Sequence, residues 1–528
     1  MQVFFDWIRQ STSFWGRSLV ALAGGLLLAL AFPAYNFAPG AFLGIFLLVI
    51  AVHRIGVTKA LIVGFIAGFA FYGLVLIWLT TYLGPIPWAA LCVAEALFFG
   101  ISLSMISLVW RWLNAMNLGA AKPWLMAASV ATIYLGREYF AGHFPYGGLP
   151  WARLGLSQVE NFTAKWAWAL DISGFSWLIA FVSALAAFYF LHPLPKGSGL
   201  VLRSKRTLPA TLSIGVLIGV PFFLQLPEGE QTSSLKVAAI QGNANAGLFA
   251  INPPGSILGK HLTVSKELVN SGKAKDVDLM VWPENSSDLD PLNNTEARTL
   301  ISDFVTKELK APLLFGNKTF RGSDFFNEVD LWLPETGLAD WYDKKRPVPF
   351  GEYVPNRDFF MALAPDMIGL IGWDMSPGQR DGIFRVREND LVGSLICFEV
   401  TIDELHYDLI DQGASALMVQ TNSSDFGKSV QGVQLAAISR MRAIETGRTV
   451  VSISTVGVSG IYGPDGTVIS ELESFKPGAM VADIQLRSDK TPAMIYGRFI
   501  EPTAFALTLL LSFMASIGAL IKRFKRTQ

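Results

Sequence analysis

Cysteine, histidine and charged residues are all scarce in this chain. Two of its 528 residues are cysteines and five are histidines. Two cysteines exclude a disulfide-rich scaffold and a cysteine-rich zinc site, and the histidines have no spacing typical of metal ligands. We therefore expect no metal and no cofactor. The formal net charge is zero, so we also expect no nucleic acid as a partner.

The low content of charged residues indicates a membrane protein. Asp, Glu, Lys and Arg make up 16% of the chain, whereas soluble domains usually carry about 25%. The apolar residues are concentrated at the two ends of the sequence. We predict a membrane domain over 1–227 with about seven spanning helices, a polar domain over 234–498, and a final span with a basic tail over 499–528.

Eight apolar stretches approach the length of a membrane span, which is about 20 residues. They cover 17–34, 38–53, 60–81, 87–110, 122–137, 170–191, 207–226 and 501–521. Basic residues cluster at alternate boundaries, among them Arg9, Arg54, Lys196 and Lys522. The positive-inside rule then places both termini in the cytoplasm and the polar domain outside it. The alternative for the first stretch is a cleaved signal peptide.

In the polar domain, β-branched apolar runs alternate with helical patterns, which is typical of an α/β layered fold. Three of the predicted strands are followed by unusual polar groups, namely Glu284, Cys397 and Asn422. Ligands of open α/β sheets bind beyond the carboxyl ends of strands. These strand ends are therefore the places where we look for chemistry.

Three short strings supply a carboxylate, a lysine and a thiol: "VWPEN" (281–285), "YDKKRPVPFGEYVP" (342–355) and "SLICFEV" (394–400). A thiolate attacks acyl carbons once a base has taken its proton. A buried glutamate with a raised pKa can be that base, and a lysine can stabilise the oxyanion. Taken singly, each residue is more often structural, because a lone strand cysteine is usually an inert part of the core.

The order of "WPE", "K…PFGEYVP" and "CFE" resembles the nitrilase superfamily with its Glu-Lys-Cys triad. Seven spans before that domain and one after it resemble the apolipoprotein N-acyltransferase family, which is the membrane-embedded branch of the superfamily. The resemblance covers essentially the whole chain. It implies a multi-span α-helical membrane domain joined to an α/β nitrilase-like αββα sandwich.

The resemblance also implies roles for single residues. It makes Glu284 the base, Lys344 the oxyanion partner, with Lys345 as the competing choice, and Cys397 the nucleophile. The supporting residues that it implies are Glu352, Glu399 and Phe398. The string departs from the family at Arg346-Pro347, where relatives often have His-Leu, and at Phe398, where they often have tyrosine.

The reaction that the resemblance implies is acyl transfer in two half-reactions. A phospholipid acylates the cysteine, and the amine of an S-diacylglyceryl-cysteine at a lipoprotein N-terminus then takes the acyl chain. We expect a monomer in the bacterial cytoplasmic (inner) membrane with its catalytic domain on the periplasmic side. One alternative is an amidase or phospholipase that uses the same triad with water as acceptor. A second is a transporter or sensor with an external binding domain.

The stretch 357–373 is too apolar for an ordinary loop, and exposed apolar patches mark contact surfaces. We predict a movable arm that enters the bilayer and gates lipid access. Its anchors would be Phe359, Phe360, Met361, Ile368, Leu370 and Trp373. The alternative is a buried helix of the core.

Three further segments have weaker signals. The stretch 246–255 is a second candidate lid. The aromatic loop 137–162 is either an interfacial belt or the lining of a site shared with the polar domain. Arg440 and Arg442 have helical spacing, which favours structural pairing with carboxylates such as Glu445.

Overall fold

The computed structural model describes residues 13–193, 200–227, 229–247 and 250–527. Arg9 and Lys196, which helped to orient the spans, lie outside the described residues, as do residues 248 and 249 of the second candidate lid. The chain forms two compact units. One contains the described residues up to Gln225 and those from Ile495 onward, and the other is Leu226–Met494.

The first unit is built from helices, because its sequence consists of long apolar runs in which every backbone group is paired within the helix. The helices are α1 (Phe14–Leu30), α2 (Pro39–Val52), α3 (Val57–Val75), α4 (Leu79–Tyr82), α5 (Pro85–Asn114), α6 (Lys122–His143), α7 (Trp166–Leu191), α8 (Leu200–Phe223) and α16 (Ile500–Thr527). The short helix α15 (Pro492–Tyr496) begins in the second unit and ends in the first. A helix therefore lies at each of the eight apolar stretches.

Within the described residues, four helical segments are long and apolar enough to cross a membrane. They are Val57–Val75, Pro85–Asn114, Phe162–Leu191 and Pro492–Lys525. Three shorter apolar helical segments cover Phe14–Leu30, Pro39–Val52 and Leu208–Phe223. The number of spans and their orientation stay predictions.

The aromatic loop after α6 divides into two parts. Phe144 and Tyr146 are exposed, as an interfacial belt requires, whereas every residue from 151 to 159 is buried. Main-chain groups of the buried part are paired within the unit. The backbone N–H of Leu154 donates to Glu138 at 2.8 Å. Irregular backbone at membrane depth is tolerated where protein encloses it in this way.

Helix α7 is broken at Asp171, which has φ +65°. The Asp171 carboxylate accepts a hydrogen bond from the backbone N–H of Ser173 at 2.7 Å and so caps the second half of the helix. Arg153 lies 3.4 Å from Asp171 and 3.2 Å from Glu501. This ion-pair cluster explains why a carboxylate can lie inside an apolar helix.

The second unit contains two six-stranded sheets. The strands are β1 (Gln231–Gln241), β2 (Leu279–Val281), β3 (Leu313–Arg321), β4 (Asp324–Leu333), β5 (Gly337–Asp343), β6 (Ile383–Arg387), β7 (Asp390–Ile396), β8 (Ala416–Thr421), β9 (Thr449–Ser454), β10 (Ser459–Tyr462), β11 (Val468–Leu472) and β12 (Gly478–Arg487). The order is β12-β1-β2-β3-β4-β5 in the first sheet and β11-β10-β9-β8-β7-β6 in the second. Each sheet has three parallel strands at its centre, β1-β2-β3 and β7-β8-β9.

The two sheets pack face to face through one apolar layer. The layer includes Val237, Val281 and Leu314 from the first sheet and Ile396 and Met418 from the second. Helices cover the outer faces, because the same strands carry apolar residues there as well. They are α9 (Ser256–Asn270), α10 (Thr295–Asp303), α13 (Asp403–Asp411) and α14 (Gln431–Thr446), and two short helices, α11 (Arg357–Leu363) and α12 (Pro365–Ile368), lie between β5 and β6. The predicted αββα sandwich is confirmed.

Candidate active site

Cys397 directly follows β7 at the edge where the parallel strands of the second sheet end. Its φ is +54°, a left-handed conformation that a non-glycine residue adopts only when its surroundings enforce it. A 3-10 turn, Cys397–Thr401, begins at the same residue. This sharp turn leaves the thiol half-buried at the strand end, and the backbone N–H of Asn422, just after β8, acts to lower the pKa of the thiol.

Glu284 follows β2 in the first sheet and is 5% exposed. Its backbone passes so close to β3 that a Cβ atom on Gly316 would lie 2.7 Å from the Cα of Glu284. The glycine therefore permits the close approach, and its N–H donates to the carbonyl of Pro283 at 3.1 Å. The chain turns here and directs the carboxylate of Glu284 toward the end of β5.

Lys344 follows β5 and is 2% exposed. Its Nζ lies 3.7 Å from Oε1 of Glu284 and 2.9 Å from Oε1 of Glu352. The other oxygen of Glu352 accepts from the backbone N–H of Val348 at 2.7 Å. One buried ammonium is thus shared by two carboxylates, and the second carboxylate is anchored to the loop that follows the lysine.

The charges in this group shift one another's pKa values. Burial raises the pKa of Glu284, with Lys344 opposing the rise and Glu352 adding to it. Burial alone would lower the pKa of Lys344, but Glu352 and Glu284 raise it above its ordinary value. Burial also acts to raise the pKa of Glu352, yet the Lys344 ammonium and its hydrogen bonds hold it below the ordinary value.

The thiol belongs to the same electrostatic group. Burial raises the pKa of Cys397, the charge of Glu284 raises it further, and Lys344 opposes both. The resting site therefore holds a protonated thiol, a charged lysine and an ionised Glu352. Because Glu284 has the raised carboxyl pKa, it is the carboxylate of the pair that is suited to take up a proton.

Asn327 is a member of the site that the sequence did not reveal. It lies on β4, and its Nδ2 donates to Oε1 of Glu284 at 2.7 Å and to Oε1 of Glu352 at 2.8 Å. Because both acceptors are carboxylate oxygens, only the nitrogen can face them. A lone asparagine inside a strand has no sequence signal, since its partners come from two distant segments.

Glu399 binds main chain on both sides of the site. One of its oxygens accepts from the N–H groups of Lys345 and Arg346 at 2.8 and 3.1 Å and from the hydroxyl of Tyr342 at 2.9 Å. The other accepts from the N–H of Ile396 at 2.9 Å. The buried Glu399 side chain thus joins the segment after Lys344 to the residue before Cys397.

Residues 24–185 match the family described as the apolipoprotein N-acyltransferase N-terminal domain, and residues 236–490 match carbon-nitrogen hydrolase. An apolipoprotein N-acyltransferase of Mycolicibacterium smegmatis is 30% identical over an alignment that covers 94% of this chain and 86% of the relative. The chain belongs to the apolipoprotein N-acyltransferase family. It is an acyltransferase, and together with its apolar helices this makes it a bacterial membrane protein.

A second relative agrees with this assignment. The apolipoprotein N-acyltransferase of Pseudomonas putida is 28% identical, with 96% of this chain and 98% of the relative covered. Among solved structures, an amidase from Nesterenkonia sp. is 17% identical with a TM-score of 0.37, and the match covers 51% of this chain and 98% of the amidase.

Lys345, the competing choice for the catalytic lysine of the acyltransferase, pairs with a different carboxylate. Its Nζ is 2.5 Å from Oδ1 of Asp381, and Asp381 also accepts from Gln412 at 2.5 Å. Lys344 is the lysine that the structure brings to Glu284. Phe398 is half-buried next to Cys397.

The predicted arm of the acyltransferase is largely exposed. Phe359, Leu370 and Trp373 are 64%, 69% and 66% exposed, whereas Phe360 and Met361 are half-buried. The alternative of a buried core helix is wrong for α11, which has no buried residue. Ile368 is the exception among the proposed anchors. It is 7% exposed and is the last residue of the short helix α12.

Arg442 has the structural role that its spacing favoured. The buried guanidinium pairs with Glu445 at 2.5 Å and donates to the carbonyls of Val400 and Thr401, both at 2.9 Å. It therefore supports the turn that starts at Cys397. Arg440 donates to the carbonyl of Gly466 at 2.6 Å instead.

Proposed function

We propose that this acyltransferase moves an acyl chain from a membrane phospholipid to the α-amino group of the S-diacylglyceryl-cysteine at a lipoprotein N-terminus. The observation that supports this best is the grouping of Glu284, Lys344 and Cys397 at strand ends of one domain, with electrostatic coupling among all three. The family's name supplies the acceptor.

In the first half-reaction, the carboxylate of Glu284 takes the proton of the Cys397 thiol. The sulfur attacks the ester carbonyl of the phospholipid, and the Lys344 ammonium together with a backbone N–H after the cysteine stabilises the oxyanion. The tetrahedral intermediate collapses when the carbon–oxygen bond breaks. Glu284 returns its proton to the leaving oxygen, a lysophospholipid departs, and a thioester remains on Cys397.

In the second half-reaction, the neutral amine of the lipoprotein attacks the thioester carbonyl. Glu284 takes a proton from the attacking nitrogen, and the carbon–sulfur bond breaks as the amide forms. The same proton then passes to the thiolate of Cys397, which restores the resting site. Throughout both steps Glu352 holds Lys344 in place through its 2.9 Å hydrogen bond.

Both substrates are anchored in a membrane, so the site must work at a membrane surface. We propose that the exposed apolar arm, residues 357–373, inserts into the outer leaflet and controls the access of lipids, with Phe359 and Trp373 as its principal anchors. The catalytic domain would then lie on the periplasmic side and both termini in the cytoplasm. All site residues come from one chain, and we propose that a monomer is active.

Mass spectrometry of the protein purified in its native lipids tests the mechanism. We expect an acyl adduct on Cys397 in the wild type and in a Cys92→Ala control, which removes the other cysteine. The adduct should be absent in Glu284→Gln. Labelled acyl groups should end on the lipoprotein amine. Release of the label as free acid, or normal activity of Cys397→Ala, would overturn the proposal.

A further inference from the structure

A hydrogen-bonded chain crosses the apolar layer between the two sheets. The hydroxyl of Ser394 on β7 donates to Oε1 of Gln420 on β8 at 2.8 Å. The Nε2 of Gln420 then donates to the backbone carbonyl of Trp282 at 2.7 Å. All three residues are fully buried. Buried polar groups in an apolar layer are costly unless they are paired, and each of these has its partner.

The two ends of this chain lie beside the catalytic groups. Ser394 lies on β7, which ends directly before Cys397, and Gln420 stands opposite Ile396 in the parallel register of β7 and β8. At the other end, Trp282 lies just before Glu284, and its N–H donates to the carbonyl of Leu314 on β3 at 2.8 Å. The hydrogen-bonded chain thus joins the strand that carries the nucleophile to the strand that carries the base.

A second contact reaches the same segment from the second sheet. Thr455, which follows β9, donates through its hydroxyl to the backbone carbonyl of Glu284 at 3.2 Å. It is 1% exposed. The main chain of the base is therefore held to the opposite sheet at two carbonyls, those of Trp282 and Glu284.

Directional bonds matter here because Glu284 and Cys397 belong to different sheets. The contacts in the apolar layer between the sheets are non-directional, so they do not fix the position of one main chain against the other as a hydrogen bond does. A general base, by contrast, must lie within hydrogen-bond reach of the proton that it takes. A misplacement of about 1 Å can reduce a rate by about 10²-fold.

We propose that Gln420 is a positioning residue that sets the separation between the Glu284 carboxylate and the Cys397 thiol. This inference rests on the proposed roles of Glu284 and Cys397 but not on the identity of the acyl donor. Gln420 acts through the main chain of Trp282 and takes no part in the bond-making steps. Ser394 orients its amide, so that the donor faces Trp282.

Gln420→Met is the first test, because methionine has a similar length and lacks the amide. We expect kcat for acyl transfer to fall about 100-fold, with KM for the phospholipid unchanged. Ser394→Ala leaves the hydrogen bond from Gln420 to Trp282 possible but frees the Gln420 amide to rotate. We therefore expect a smaller fall in kcat. Asn317→Leu is the matched control. It removes a buried amide that donates to Asp330 at 2.7 Å, on the outer face of the first sheet.

A second readout does not depend on any lipid. The rate at which iodoacetamide alkylates Cys397, followed by peptide mass spectrometry against pH, reports how easily the thiol loses its proton. We expect Gln420→Met to behave like Glu284→Gln, and Asn317→Leu to behave like the wild type. A purely structural role would lower the melting temperature of Gln420→Met and Asn317→Leu alike and leave both pH profiles unchanged.

Failure of the positioning role of Gln420 can be told apart from failure of the proposed reaction. If folded Gln420→Met alkylates and transfers acyl chains as the wild type does, Gln420 has no positioning role. Ser394→Ala leaves the bond to Trp282 possible. If its kcat falls as far as that of Gln420→Met, and the kcat of Asn317→Leu falls too, the effect is general destabilisation and the inference is overturned. If the wild type forms no thioester but its alkylation depends on Glu284 and Gln420, the inference stands and the proposed reaction fails.

Discussion

The Nδ2 atom of Asn327 lies 2.7 Å from Oε1 of Glu284 and donates a hydrogen bond to it. A donor stabilises the ionised form of a carboxylate and so lowers its pKa. Burial acts on Glu284 in the opposite direction and raises its pKa. In the proposed mechanism, the balance between these two effects sets the pH at which the Glu284 carboxylate can accept the thiol proton.

Asn327→Leu should therefore move the pH dependence of thioester formation. Without the donor, the pKa of Glu284 rises further, and the limb of the profile on which activity grows with pH shifts to higher pH. At neutral pH we expect the rate to fall about tenfold, as a loss of roughly 1.4 kcal/mol predicts. Single-turnover acylation of Cys397, followed by mass spectrometry over a pH series, measures this shift.

Asn293→Ala is a suitable control for that experiment, because Asn293 is an exposed amide of the same domain that donates to Asp290 at 2.6 Å. It should leave the profile in place. A profile of Asn327→Leu with unchanged midpoints and a uniformly reduced amplitude would mean that Asn327 supports the fold but does not act on Glu284.

Glu399→Gln should impair both stability and acylation. The Glu399 carboxylate accepts four hydrogen bonds, three of them from backbone N–H groups. In a glutamine at this position, one carboxylate oxygen is replaced by an NH2 group. That group cannot accept a hydrogen bond, so at least one of the four hydrogen bonds is lost. Hydrogen bonds to charged groups are worth about 1.5–3 kcal/mol each, so we expect a lowered melting temperature and slow acylation of Cys397.

Tyr342→Phe separates the two effects. It removes one of the four hydrogen bonds and leaves the three backbone N–H groups on the Glu399 carboxylate. We expect a modest loss of thermal stability with an acylation rate near that of the wild type. Equal losses of acylation in both variants would show that the tyrosine hydroxyl, rather than the main-chain contacts of Glu399, is the decisive group.

The strand ends could be predicted from the sequence because their signals are local. Glu284 and Cys397 each follow a short apolar run directly, and the end of such a run marks the edge of the sheet. Lys344 was harder to place, because Lys345 stands beside it. The alternating direction of neighbouring side chains separates the two, and the structure directs Lys345 to Asp381.

Asn327 and Gln420 could not be found in the same way. Each is a polar residue inside a strand, and its role depends on carbonyl or carboxylate groups from other segments of the fold. The buried position of Ile368 was missed for a related reason. Apolar composition marked the whole arm as a contact surface, but it did not show which of its residues is buried.

The exposed arm leads to a prediction about substrate binding. Phe359→Ser and Trp373→Ser should leave the melting temperature almost unchanged, because each side chain is about two-thirds exposed and exposed positions contribute little to stability. We expect KM for phospholipid in vesicles to rise at least about tenfold, since burying an aromatic side chain in lipid stabilises by about 1.5–3 kcal/mol. The kcat with a water-soluble ester should not change.

Ile469→Ser provides the control for the arm. Ile469 is 46% exposed on β11 and lies in a different part of the sequence. It should alter neither KM nor kcat. A rise in KM for the soluble ester in Phe359→Ser would contradict the prediction, because it would show that the arm shapes the pocket and does not act through the membrane.

We expect a buried carboxyl pair outside the site to make stability depend on pH. Glu328 and Asp330 are successive residues on the outer face of β4, and Asn317, Arg321 and Asp343 surround them. Burial raises the pKa of Glu328 to about 7. The folded protein therefore keeps a proton that the unfolded chain loses near pH 4.5, and stability must decrease as the pH rises through this interval.

Glu328→Gln should remove this dependence. The amide is neutral at every pH, so we expect the melting temperature of the variant to decline less than that of the wild type between pH 5 and pH 8. The difference should correspond to about 1–3 kcal/mol. Glu471→Gln, at an exposed position of β11, should follow the wild-type curve. Parallel curves for the wild type and Glu328→Gln would mean that the carboxyl group is ionised in the folded protein, with Arg321 as its counter-ion.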